Sequence, residues 1–150
     1  MLYQDLVFEL EVDGSLRDIY AFKTTVDDWN RLLSLSSSLG KAAYFCDGDE
    51  APLPSTANSI FDDADHSHLL RINLGGLFIN THFFVADEIE LDLDPREITS
   101  QADLDLVLNF CAKIGQEIKR DIVITPENLP EVIYLCYLAD QDKWQRLERP

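Results

Sequence analysis

Residues 88–94 read Glu-Ile-Glu-Leu-Asp-Leu-Asp, a strict alternation of carboxylate and aliphatic side chain. A period of two belongs to an extended strand, whose successive side chains point to opposite faces. Ile89, Leu91 and Leu93 then enter a core. Glu88, Glu90, Asp92 and Asp94 form a row of negative charge on the other side, roughly 6.6 Å apart. Any fold for this chain must provide an anionic edge or face.

The row lies in the most acidic third of the sequence. Between Asp47 and Glu97 there are twelve acidic side chains against two basic ones, Arg71 and Arg96, which supplies -10 of the total -16. Such a charge speaks against direct binding of nucleic acid, because phosphate contacts need a basic surface. It speaks equally against an anionic membrane surface, and it favours encounter with a positively charged partner. A hydrophobic content of 46% with 10% aromatic residues excludes a disordered acidic tail. The chain of 150 residues is read as a single domain, 1–150. No apolar run reaches the roughly 18 residues of a membrane span, and no secretory signal is visible. Cys46, Cys111 and Cys136 are odd in number and sit among apolar residues, as buried thiols do. The setting expected is cytoplasmic.

The order of elements follows from local patterns. Leu6, Phe8, Leu10 and Val12 alternate with polar residues, Asp13-Gly14 is a favoured turn, and residues 16–23 return, which predicts a β-hairpin. In it Glu9 sits opposite Asp18. A helix starts at Thr25, with Asp28 completing a capping box and Val26, Trp29, Leu32 and Leu33 as its apolar stripe. Residues 41–46 form a short strand. Residues 47–65 have no period and read as a long loop. Residues 66–74 and 77–86 form a second hairpin around Gly75-Gly76, and the alternating strand completes a meander. A helix over about 100–120 buries Leu104, Val107, Leu108, Cys111, Ile114 and Ile118. A strand covers 121–125; residues 129–138 read either as a helix starting at Pro126 or, the preferred reading, as a strand over 132–138, and a last short strand lies around Trp144. The fold expected is α+β: a mainly antiparallel β-sheet of six or more strands, with two α-helices packed on one face.

His66, His68 and His82 with Asp65 have the donor types for zinc. With a Gly75-Gly76 turn, however, opposed residues sum to 151, which puts His82 with Arg71 on one face. His66 and His68 fall on the other, beside Leu70, Ile72, Ile79 and Phe83. No metal site is expected, and no cofactor. The acidic loops fail as EF-hands, since the sixth position from Asp63 is His68 and the twelfth is Leu74. Cys46 next to Asp47 makes a poor nucleophile, because carboxylates raise a thiol's pKa. Neither a catalytic constellation nor a phosphate-binding glycine loop emerges, so no catalytic residue is named.

The carboxylate row remains. Four such charges on an exposed face cost on the order of 1 kcal/mol, which solubility or edge protection alone explains. The acidic stretch Asp62-Asp63-Ala64-Asp65 adjoins the same meander and favours a function. The expected function is a non-catalytic binding protein whose acidic face, Glu88, Glu90, Asp92 and Asp94 with Asp62, Asp63 and Asp65, engages a basic partner protein. One version is an immunity or inhibitor-type protein covering the cationic site of a toxin or nuclease. The competing classes are a small enzyme or ligand- or metal-binding protein using the 66–82 hairpin and the 47–65 loop, and a structural subunit of an oligomer.

Overall fold

The computed structural model describes residues 1–147. The alternating strand becomes β6 (Glu88–Leu93), and the sheet is built outward from it. The strands are β1 (Arg17–Phe22), β2 (Lys41–Cys46), β3 (Asp49–Ala51), β4 (His68–Asn73), β5 (Phe78–Thr81), β6, β7 (Ile122–Pro126), β8 (Leu135–Leu138) and β9 (Lys143–Arg146). They form one sheet in the order β3-β2-β4-β5-β6-β1-β7-β8-β9, and every pairing is antiparallel. With helices α1 (Val26–Leu39), α2 (Ala57–Phe61) and α3 (Gln101–Ile118), the chain has the α+β architecture its sequence predicts.

The meander β4-β5-β6 has the predicted register, with Leu70 opposite Thr81 and Arg71 opposite Asn80. β6 lies in the middle of the sheet, so its charges do not protect an edge. Helix α1 begins as expected: the Asp28 amide donates to Thr25 Oγ1 at 3.3 Å, and the Thr25 amide donates to Asp28 Oδ2 at 3.0 Å. Ser100 caps α3 by accepting from the Asp103 amide at 3.2 Å. The buried residues of α1 and α3 share one core with Ile19, Ile72, Ile79, Ile89, Leu91 and Ile124. All six project from the same sheet face, because residues opposed across a ladder share a side. None of the helices is long and apolar enough to cross a membrane.

Two expectations fail for definite reasons. The N-terminal hairpin does not form: residues 3–6 make a 3-10 turn, and β1 begins only at Arg17. Both edges of β1 are taken, one by β6 and the other by β7, which leaves no ladder for the N-terminal segment. Arg17 draws that segment in by another route. Its side chain points to the core side and is almost fully buried, and it donates to the backbone carbonyls of Glu9 at 2.6 Å and Glu11 at 2.7 Å. Glu9 therefore does not oppose Asp18; it is buried and accepts from Arg146 Nε at 2.9 Å.

The second failure is the long loop. Residues 47–65 contain β3 and α2, because Asp47-Gly48 closes a tight hairpin between β2 and β3. Both turn residues have positive φ, 51° and 84°, as a two-residue turn of the favoured hand requires.

Candidate functional site

The helices cover one face of the sheet, and the polar residues of the central strands occupy the other. Arg71, Asn80, Asp92, Asp18 and Thr125 are successive cross-strand partners, so they form a single rung across β4, β5, β6, β1 and β7. Arg71 Nε donates to Asn80 Oδ1 at 3.2 Å, and Asn80 Nδ2 donates to Asp92 Oδ1 at 3.3 Å. Next along β6, Glu90 faces Tyr20 and Glu88 faces Phe22, and the two rings are stacked with centroids 5.4 Å apart. Asp18 was not among the expected site residues, yet it places a carboxylate directly opposite Asp92. A like-charge opposition does occur in this protein, with a partner other than Glu9.

Asp18 is held in place despite being buried. Its Oδ2 accepts from the Asn128 amide at 2.7 Å and from the Tyr20 hydroxyl at 3.2 Å. Burial is the main influence raising the pKa values of Asp18, Glu88, Glu90 and Asp92 above the ordinary carboxylate range. The charges of neighbouring carboxylates add to it, Glu127 acting on both Asp18 and Asp92. Among the described residues, no lysine or arginine forms an ion pair with any of these four; His82 Nε2 approaches Asp92 Oδ2 at 3.8 Å. Among the described residues, the face is therefore a half-buried concentration of negative charge without a lysine or arginine bound to it.

Not all of the seven expected residues join it. Glu88, Glu90 and Asp92 do. Asp94 lies past the end of β6, caps the short turn that follows, and accepts from Arg96 at both carboxylate oxygens, from Nε at 3.1 Å to Oδ1 and 2.9 Å to Oδ2 and from Nη2 at 2.6 Å to Oδ2. That pairing holds its pKa low, so Asp94 is already neutralised. Asp62, Asp63 and Asp65 lie in the turn between α2 and β4. Asp62 and Asp65 are exposed, whereas Asp63 turns toward two histidines. The acidic row and the acidic loop are two sites, not one.

The second site gathers at the end of β2 and the start of β4. Cys46 and His68 are cross-strand partners. His66 Nδ1 lies 2.5 Å from Asp47 Oδ2, and His68 Nδ1 lies 2.5 Å from the Tyr44 hydroxyl. The Ser67 amide also donates to Asp47, at 2.8 Å to Oδ1. His82 lies just past β5 and reaches Asp92 on the face of Arg71, the predicted side, while His68 shares the other side with Leu70. In place of His82 as a third donor beside His66 and His68, the folded chain brings Cys46 and Asp63. Burial, then Asp47 and Asp63, push the Cys46 thiol pKa up, which fits a resting thiol rather than a nucleophile.

Comparison with family models, curated proteins and solved structures finds no match for this chain.

Raising monovalent salt from low to physiological concentration is expected to stabilise the protein. Screening relieves the repulsion among Asp18, Glu88, Glu90 and Asp92, though less than it would for fully exposed charges. An effect on the order of 1 kcal/mol corresponds to a rise in Tm of about 2–4 °C for a domain of this size. Thermal melts across a salt series check this; a midpoint that falls steadily would show that the carboxylates already have cationic partners.

Proposed function

We propose that the protein is a non-catalytic binding protein whose open sheet face receives a basic partner protein. The observation that carries this reading is the set Asp18, Glu88, Glu90 and Asp92, which among the described residues forms no ion pair with a lysine or arginine, on the face that the helices leave uncovered. Carboxylates held half-buried beside one another lower the stability of the free protein. An arginine or lysine arriving from a partner recovers that loss and forms charge-assisted hydrogen bonds in a partly desolvated setting. Phe22, exposed and stacked on the buried Tyr20 ring, supplies an aromatic surface beside the charges, and an aromatic anchor of this kind suits an interface core. A purely solubilising row has no need of burial, nor of a further carboxylate, Asp18, opposed to it.

Within that class, an immunity or inhibitor-type protein covering the cationic site of a toxin or nuclease fits the size and charge of the chain. The choice of this version rests on analogy. It has an inexpensive check: the gene for such a protein lies beside that of a larger, basic toxin.

The direct test uses immobilised wild-type protein and a Glu90→Gln, Asp92→Asn variant as paired baits in a lysate of the source organism. A basic protein retained by the wild type and lost or diminished on the variant is the expected outcome. With that protein purified, the variant should associate at least about tenfold more slowly, and the dependence of its rate on salt should flatten, because steering by unlike charges acts mainly on the on-rate. Leu91→Asp serves as the unfolded control, since it places an unpaired charge in the core. Association at an unchanged rate with unchanged salt dependence would remove the open face from the interface.

A further inference from the structure

We infer that the end of β2 and the start of β4 form a binding site for a divalent cation of the zinc type, with Cys46, Asp63, His66 and His68 as ligands. Asp47 and Tyr44 are the positioning residues that aim the two imidazoles. This inference stands independently of the acidic face and its partner.

The donors converge from three segments. Cys46 ends β2, His68 opens β4 directly opposite, and Asp63 reaches in from the turn after α2. One potential ligand atom from each of these three lies within 4.8 Å of the other two. The same limit holds for Cys46, Asp47 and His66. Ligand atoms around a tetrahedral zinc ion, with bonds of about 2.0–2.3 Å, are roughly 3.3–3.8 Å apart. The two triads share Cys46, and His66 Nε2 lies 3.8 Å from Asp63 Oδ1, so filling the site requires the α2–β4 turn to draw the His66 ring in beside the Cys46, Asp63 and His68 donors.

The orientation of the rings is the stronger argument. His66 turns Nδ1 to Asp47 and Nε2 to Asp63 Oδ1, at 3.8 Å. His68 turns Nδ1 to the Tyr44 hydroxyl and Nε2 to Asp63 Oδ2, at 3.5 Å. Each ring thus has its far nitrogen held by an outer partner and its near nitrogen directed at the same carboxylate. Metal-ligating histidines are held in this manner, with an outer carboxylate or hydroxyl fixing tautomer and ring plane. In the metal-free state His68 Nε2 donates to the Asp63 carbonyl at 3.0 Å. Binding requires that proton to leave Nε2. The Tyr44 hydroxyl permits the exchange, because it can donate to Nδ1 before binding and accept from it afterwards.

The donor chemistry selects the ion. A thiolate and two imidazoles favour zinc and disfavour magnesium and calcium, which take oxygen ligands. Cys46 binds as thiolate, so its proton passes to solvent as the metal–sulfur bond forms. The two negative charges of Cys46 and Asp63 balance a divalent ion. Occupancy would tie the α2–β4 turn to the β2–β3 hairpin through metal bonds.

Cobalt(II) is the probe, because it occupies tetrahedral zinc sites and reports its ligands optically. Titration of the metal-free chain should saturate at one equivalent. It should give the strong visible absorption of tetrahedral cobalt together with a near-ultraviolet thiolate-to-cobalt band, and zinc should bleach both. Cys46→Ser should abolish the ultraviolet band and weaken zinc binding by at least about a hundredfold, with circular dichroism confirming that the variant is folded. Asp47→Asn should keep the band and weaken binding roughly 10–100-fold, as loss of an outer partner does. His82→Ala should change neither. Should Cys46→Ser fail to fold, alkylation of the wild type decides the matter: zinc should protect Cys46 and leave Cys136 equally reactive. Absence of the thiolate band, its survival in folded Cys46→Ser, or alkylation of Cys46 unaffected by zinc would each overturn the site.

Discussion

Replacing Arg17 by leucine should cost about 3–5 kcal/mol of stability, the loss expected when one side of a buried charged network is removed. Total stabilities run to about 5–15 kcal/mol, so this single change approaches the limit of folding. The reason lies in what remains behind. Arg17 donates to the carbonyls of Glu9, Glu11 and Leu16 and to the Ser15 hydroxyl, at 2.6 to 2.9 Å. Leucine fills part of the volume but leaves those acceptors in place, and an unpaired buried acceptor costs more than its hydrogen bond contributed. A buried ion pair can sometimes be exchanged for apolar residues without loss; here, besides the Ser15 hydroxyl and the Asp13 carboxylate at 3.6 Å, the partners are backbone carbonyls that no substitution removes. Arg17→Lys should recover only part of the loss, because a single ammonium cannot span carbonyls that the planar guanidinium reaches together. Urea unfolding midpoints measure both variants. A loss below about 1 kcal/mol for Arg17→Leu would mean that residues 9–11 find other donors.

Arg17 also marks where the sequence could and could not be read. The alternation of β6, the capping box at Thr25 and Asp28, the apolar stripe of α3 and the Gly75-Gly76 hairpin are local signals, and each appears in the structure where its pattern puts it. The N-terminal alternation is just as regular, yet no hairpin forms. Alternation declares that a segment can be extended; it does not say which edge is free to receive it. β1 is taken on both sides by strands from distant parts of the chain. The same non-local pairing hid the two sites. Asp18 joins the row only because β1 lies against β6. Cys46 meets His68 only because β3 folds to the outside of β2, which leaves the inner edge of β2 to β4. The Asp47-Gly48 dipeptide was the available clue: read as a hairpin turn rather than a failed calcium loop, it shortens the irregular segment. The geometry of His82 was inferred correctly from register, because a two-residue turn fixes register over a short distance.

The protein should be most stable in mildly acidic solution and should lose stability as the pH rises toward 8. Asp18, Glu88, Glu90, Asp92 and Glu97 have raised carboxyl pKa values in the folded state, in each case chiefly through burial. Between the ordinary value and the raised one, the folded chain binds more protons than the unfolded chain. The contribution of these groups is therefore full below the ordinary value and is lost as pH rises through the folded one. His66, whose pKa is raised first by its hydrogen bond to Asp47, acts in the same direction at higher pH. Asp13, Asp47, Asp94 and Asp103 have lowered values and act oppositely, losing their contribution only as pH falls below the ordinary carboxylate range. The two sets place the maximum on the acidic side of neutrality, above the ordinary carboxylate range, with a higher Tm there than at about pH 8. Melts at constant ionic strength would show this, and the Glu90→Gln, Asp92→Asn variant should melt above the wild type at pH 8 and have a flatter profile. A wild-type Tm that climbs steadily to pH 8, or a variant that keeps the full slope, would mean that the open face carries no strain of like charges. The same strain predicts how the complex behaves. A basic partner seated on the face lowers those pKa values again, so acidification that stabilises the free protein should release the partner.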